Sequence, residues 1–128
     1  MHQLTVIGLG AADFDQLQMG VYKKLKEAGT LYVRTLDHPV LRELENEGLV
    51  LQSFDAVYEK HDTFEPVYTE IAETLIEKAH LEPIMYAVPG HPLVAEQTVQ
   101  NLIAAERMGR VQLKIEGGQR KTKQRLRN

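Results

Sequence analysis

The sequence predicts an α/β fold: a three-layer, open, mainly parallel five-stranded sheet with helices on both faces. Five short apolar runs rich in β-branched residues recur along the chain, at residues 4–7, 30–34, 49–54, 84–88 and 111–115. Four stretches with apolar residues at helical spacing separate them. Strands that alternate with helices make βαβ units, whose crossovers set neighbouring strands parallel. In such a sheet the loops that follow the strands share one edge, where ligands bind. Three of those loops hold unusual residues: Gly8 to Asp15, Arg34 to Pro39, and Pro89 to Leu93.

Leu4-Thr-Val-Ile7 suits a buried first strand, and Gly8-Leu-Gly10 lets the chain turn. Asp13 or Asp15 can cap the helix that follows, which sets Leu17, Val21, Leu25 and Ala28 on one face and stops at Gly29. Thr30 to Arg34 forms the second strand. Thr35 to Pro39 turns, because the residue before a proline is pushed out of the helical region. A short helix turns Val40, Leu41 and Leu44 inward and stops at Gly48. Leu49 to Phe54 forms the third strand, and Asp55 to Glu65 is expected to be a polar, charged loop. From Pro66 to His80 the apolar residues Val67, Ile71, Leu75 and Ala79 recur every fourth position, a helix with proline in its first turn. Ile84 to Val88 forms the fourth strand, and Pro89-Gly90-His91-Pro92 breaks it. A helix from Val94 to Met108 buries Ala95, Val99, Leu102 and Ile103, and Gly109 follows it. Val111 to Ile115 alternates in a way that fits a less buried fifth strand.

The chain has 128 residues, enough for one domain with a core. It has no cysteine, which excludes disulfides and cysteine-ligated metals and agrees with a reducing compartment. The opening residues lack the basic and apolar regions of a signal peptide, and no apolar run reaches the roughly 18–20 residues of a membrane span. A cytoplasmic protein without membrane contact is expected. The last ten residues hold five basic side chains and no acid, which leaves 10 basic and 18 acidic residues in the first 118. An acidic body argues against nucleic-acid binding. The basic end, residues 119–128, is expected to be a solvated, disordered tail.

Gly8-Leu-Gly10 resembles the start of a dinucleotide fingerprint, but Asp13 stands where its third glycine belongs and would repel a pyrophosphate. The glycines either admit a ligand to the backbone or only shape the turn. Arg34, Asp37 and His38 form a candidate polar cluster at the same edge. The five histidines show no spacing typical of a metal site, so no metal is expected. His91 lies in a loop whose backbone N–H and C=O groups are available to a ligand.

Three loops together resemble one family. Ile7-Gly-Leu-Gly10 followed by Asp13 and Asp15 is similar to the Gly-Leu-Gly-Pro-Gly-Asp-x-Asp opening of the tetrapyrrole (corrin/porphyrin) methylases. Val88-Pro-Gly-His-Pro-Leu-Val94 is similar to that family's Gly-Asp-Pro-Leu-Val loop. The resemblance is closest to the methylase-like domain fused to MazG-type nucleoside-triphosphate pyrophosphohydrolases. It is carried by Tyr32-Val-Arg-Thr35, His38-Pro39, Phe54-Asp55, Tyr58-Glu59, Phe64-Glu65-Pro-Val-Tyr68 and Val88 to Val99.

The resemblance implies that residues 1–118 are the first lobe of a two-lobe, S-adenosylmethionine-dependent methyltransferase, with S-adenosylhomocysteine as product. It implies that Leu9, Gly10, Pro89, Gly90, His91 and Val94 border the methyl donor, mainly by backbone, with Arg34, Asp37 and His38 on the substrate side. The acceptor would be a tetrapyrrole or another small molecule, and no catalytic acid, base or nucleophile stands out. Ala11 and Ala12 replace the family's Pro-Gly, His91 replaces an Asp, and Arg34 stands where many members have an Asp. This last departure motivates the alternative of a non-catalytic, ligand-sensing or dimerisation lobe. The family's second lobe is not expected within 128 residues, so an incomplete single lobe, prone to self-association through an exposed apolar face, is expected.

Overall fold

The computed structural model describes residues 2–9, 19–27, 30–36, 39–89 and 97–117. Its elements run β1 (Gln3–Gly8), α1 (Met19–Glu27), β2 (Thr30–Val33), α2 (Pro39–Asn46), β3 (Val50–Ser53), α3 (Asp55–Lys60), α4 (Phe64–Ala79), β4 (Ile84–Val88), α5 (Gln97–Arg107) and β5 (Gln112–Gly117). The strands form one sheet in the order β3-β2-β4-β1-β5, with every pair parallel. The register sets Val6 beside Tyr86 and Tyr86 beside Tyr32.

Side-chain alternation along the strands divides the core into two layers. On one face, Leu25 of α1 and Leu41 and Leu44 of α2 pack with Ile7, Leu31, Val33 and Ala87. On the other, Val67, Ile71 and Leu75 of α4 and Val99, Leu102 and Ala105 of α5 pack with Leu4, Val6, Ile84, Tyr86 and Val88. Each fully buried aliphatic side chain contributes roughly 1.5–3 kcal/mol relative to exposure. Tyr86 is 0% exposed, and the Phe54 ring meets it edge-on with centroids 5.9 Å apart. The aromatic in the middle of β4 is therefore core. The central strands β1 and β4 are covered on both faces. β3 and β5 are the edges, and Val50 on β3 is 54% exposed.

One expected loop is helical. Residues 55–60 form α3, and α4 begins at Phe64 rather than Pro66. The segment lacks glycine and proline up to Phe64, and the Phe54 carbonyl accepts from the Val57 and Tyr58 amides to close the first turn. Its charge suggested a loop because α3 has no fully buried residue. Val57 and Tyr58 only lean on the core. Among the described residues there are thus five helices, one more than the periodicity indicates. Strand limits shift by a residue or two: β3 loses Leu49 and Phe54, and β5 runs from Gln112 to Gly117. Leu17 and Ala28, expected on the inner face of α1, lie outside the described residues, as does the basic tail.

Two helices end at their expected glycines, while Gly29 lies outside the described residues. Gly48 after α2 has φ +97° and Gly109 after α5 has φ +76°, left-handed positions that a side chain adopts at a cost. The His2 amide donates to the Ala79 carbonyl at 2.9 Å, so α4 finishes at the edge where β1 begins. Phe64, at its other end, lies at the carboxyl edge of the strands.

Candidate functional site

The strand order builds a crevice at the carboxyl edge. From β1 the chain crosses one face through α1 and α2, and from β3 it returns across the other through α4 and α5. β4 lies between β2 and β1, so its exit leads to one face while both neighbours' exits lead to the other. This reversal is where open α/β sheets hold ligands. The neighbouring strands bring Leu9, Arg34 and Pro89 to one place, although they are far apart in sequence.

The contacts there are mostly backbone. The Leu9 amide donates to the Val88 carbonyl at 2.8 Å, and the Arg34 amide donates to the Ala87 carbonyl at 3.4 Å. Pro89 has no N–H to continue the ladder, so β4 stops and the chain leaves the sheet. Leu9 is 4% exposed and Val88 is fully buried, and they anchor the two strand ends in the core layers on opposite faces of the sheet. Pro89 and Arg34 are half-buried above it. The other expected site residues, Gly10, Asp37, His38, Gly90, His91 and Val94, lie outside the described residues.

Asp55, the first residue of α3, is the polar centre of the edge beside β2. Its Oδ2 accepts from the Leu36 amide at 3.1 Å, and its own amide donates to Ser53 Oγ at 3.3 Å. Burial pushes the Asp55 carboxyl up. The Leu36 N–H, the Thr35 and Ser53 side chains and the Arg34 charge outweigh this and hold it below the usual carboxylate range. Asp55 thus pins the loop that carries Arg34. The signal for it is an acid in a first helical turn just after a strand, which apolar periodicity does not reveal as a helix.

A cavity of about 440 Å³ opens between the first turns of α4 and α5 and is lined by Glu65, Tyr68, Thr69, Gln97 and Asn101. Lys60 and His61, at the end of α3, reach Glu70 at 2.9 and 2.8 Å and hold α3 against α4. A larger cavity of about 530 Å³ lies at the opposite edge, lined by residues including Ile76, His80, Leu81 and Arg110. It is more apolar, but it sits at the amino ends of the strands, away from the reversal, and its Arg110 is engaged by Glu73 at 2.6 and 3.1 Å. The reversal of strand order, where open α/β sheets hold ligands, lies at the carboxyl edge. Among the described residues no group of three His, Cys, Asp or Glu is placed to hold a metal ion. Among them also, no helix is long and apolar enough to cross a membrane.

Residues 3–115 match the model of the family described as Tetrapyrrole (Corrin/Porphyrin) Methylases. The chain is 56% identical over 117 residues to the uncharacterized protein YabN of Bacillus subtilis (strain 168), a match that covers 91% of this chain and 24% of that protein. Among solved structures it is similar to uroporphyrin-III C-methyltransferase from Thermus thermophilus, with TM-score 0.68, 18% identity, and 91% of this chain and 47% of that one covered. The same enzyme complexed with S-adenosylhomocysteine aligns with TM-score 0.65 and 22% identity over 91% of this chain and 48% of that one. Diphthine synthase aligns with TM-score 0.65 and 27% identity over 91% and 44%. The chain thus spans about a quarter of its curated relative and about half of the solved structures.

Proposed function

The chain belongs to the tetrapyrrole (corrin/porphyrin) methylase family, and from that premise we propose that it is the first lobe of an S-adenosylmethionine-dependent methyltransferase. The observation that carries this reading is the meeting of Leu9, Arg34 and Pro89 at the reversal of the sheet. The described residues fit the donor. Leu9 and Val88 anchor the two strand ends in the core, which would hold the loops after them in place around the donor. Gly10, Gly90, His91 and Val94 complete the set that would hold it.

Bound S-adenosylmethionine supplies a methyl group on a sulfonium sulfur. The chain's own residues bind and orient. In such a transfer the protein's contribution is mainly the alignment of donor and acceptor. Asp55 fixes the loop after β2, and Arg34 offers a cation on the acceptor side, suited to an anionic group of a tetrapyrrole or another small molecule. A second lobe would close the crevice and exclude water. This lobe alone is expected to bind the donor weakly, to turn over little, and to self-associate, as a protein of the cytoplasm.

A second reading is favoured by Arg34, which stands where many family members have an Asp. The lobe would then be a non-catalytic ligand sensor or dimerisation module within a MazG-type pyrophosphohydrolase fusion. The 24% coverage of YabN leaves room for further domains in such a protein.

Calorimetric titration with S-adenosylhomocysteine, on this chain and on a two-lobe form, tests the donor site. Saturable heat from both, weaker for the chain, is expected; heat from neither overturns it. Methyl transfer by the two-lobe form separates the enzyme from the sensor.

A further inference from the structure

We propose that the cavity between α4 and α5 is a nucleobase site. The base would come from a free nucleoside or from the nucleoside end of the methyl donor. The inference stands on the cavity's own chemistry and rests on the donor reading only for the second of these sources.

The cavity lies where two helices begin, since Gln97 opens α5 and Glu65 and Tyr68 lie in the first turns of α4. An aromatic stack stands beside it. The Phe64 and Tyr68 rings are near-parallel, 16° apart in plane with centroids at 6.0 Å, and Tyr58 meets Phe64 edge-on at 6.4 Å. Phe64 is 65% exposed, a large aromatic surface left in water at the ligand-bearing edge. Tyr68 carries this stack into the cavity wall, where a third flat ring would extend it.

The cavity also has a hydrogen-bonding edge. Gln97 Nε2 donates to Asn101 Oδ1 at 3.1 Å, which leaves Gln97 Oε1 as an acceptor and Asn101 Nδ2 as a donor. The Gln97 amide keeps its Oε1 acceptor and its second N–H donor, the pair with which one side-chain amide reads the amino group and ring nitrogen of adenine. A flat ring stacked on an aromatic side chain and bonded along its edge is how proteins take an unpaired base. The Thr69 hydroxyl is already spent as a donor to the Glu65 carbonyl at 3.1 Å, so it offers an acceptor only. The Glu65 carboxylate suits an amino group and opposes a phosphate. The ligand class is therefore a nucleoside rather than a nucleotide.

The chain has no tryptophan, so Tyr68→Trp gives a single fluorescent reporter that keeps the stacking surface. Adenosine should change its emission saturably, AMP should bind more weakly, and ribose should do nothing. Calorimetry on the unaltered chain should show the same adenosine binding, and Tyr68→Leu should weaken it by about tenfold or more. Competition between adenosine and S-adenosylhomocysteine assigns the base to the donor. Simultaneous binding assigns it to a separate nucleoside. Adenosine binding by a chain that ignores S-adenosylhomocysteine supports this site and removes the donor reading. Absence of saturable adenosine binding in both the reporter and the unaltered chain overturns the proposal, whatever S-adenosylhomocysteine does.

Discussion

Removing the Asp55 carboxylate should loosen the loop after β2 in a pH-dependent way. The carboxylate accepts from the Leu36 amide at 3.1 Å and from the Thr35 and Ser53 side chains, with the Arg34 charge nearby. Hydrogen bonds to a charged acceptor contribute about 1.5–3 kcal/mol each when shielded from water. Asp55 is only partly buried, so screening reduces its total to about 1–2 kcal/mol. A domain of this length unfolds with an entropy of about 0.27 kcal/mol/K, so Asp55→Ala should lower Tm by about 4–7 °C at pH 7. The sign with pH follows from a folded-state carboxyl held below its ordinary value. Such a group stabilises the fold above its unfolded pKa, and the contribution is lost as pH falls through the folded one. The gap between parent and variant should therefore close below about pH 4. Thermal unfolding followed by circular dichroism from pH 7 to pH 2.5 measures it. A gap that stays constant down to pH 2.5 would show that the charge does not hold the loop, and would refute the role assigned to Asp55.

Three further substitutions probe the loop after β2, the α5 core layer and the end of α2. Arg34→Gln should let the Asp55 carboxyl titrate closer to its ordinary value, measurable by NMR titration; an unchanged titration would detach Arg34 from Asp55. Leu102→Ala, in the fully buried layer between α5 and the sheet, should cost about 2–5 kcal/mol in denaturant unfolding, and a cost below 1 kcal/mol would mean a looser layer. Gly48→Ala meets no atom within 4 Å of the added carbon, so its cost of about 1–2 kcal/mol should come from the left-handed backbone alone.

The sequence makes the sheet legible because strands and helices differ in period. Ile84 to Val88 is a strand at its expected limits, and the four helices with regular apolar faces are all present. α3 is not legible because Val57 and Tyr58 are its only core-facing residues and its remaining positions are charged or an exposed alanine. Strand order is less legible than strand position. Nothing local in Ile84 to Val88 says that this strand inserts between the first two. That insertion is what joins Arg34 to Leu9 and Pro89. Leu9 and Pro89 could be named from loop patterns, whereas Asp55 depends on a hydrogen bond across two loops that no spacing in the chain records. The cavity between α4 and α5 likewise needs the packing of two helices whose first turns are about thirty residues apart.

The account turns on which edge of the sheet receives the methyl donor. Backbone amide shifts of the labelled chain, followed as S-adenosylhomocysteine is added, locate it directly. Leu9, Val88 and the amides from Arg34 to Leu36 should move together and saturate at one ligand per chain. Movement confined to His80, Leu81 and Arg110, around the cavity at the opposite edge, would contradict the account, as would no movement at all.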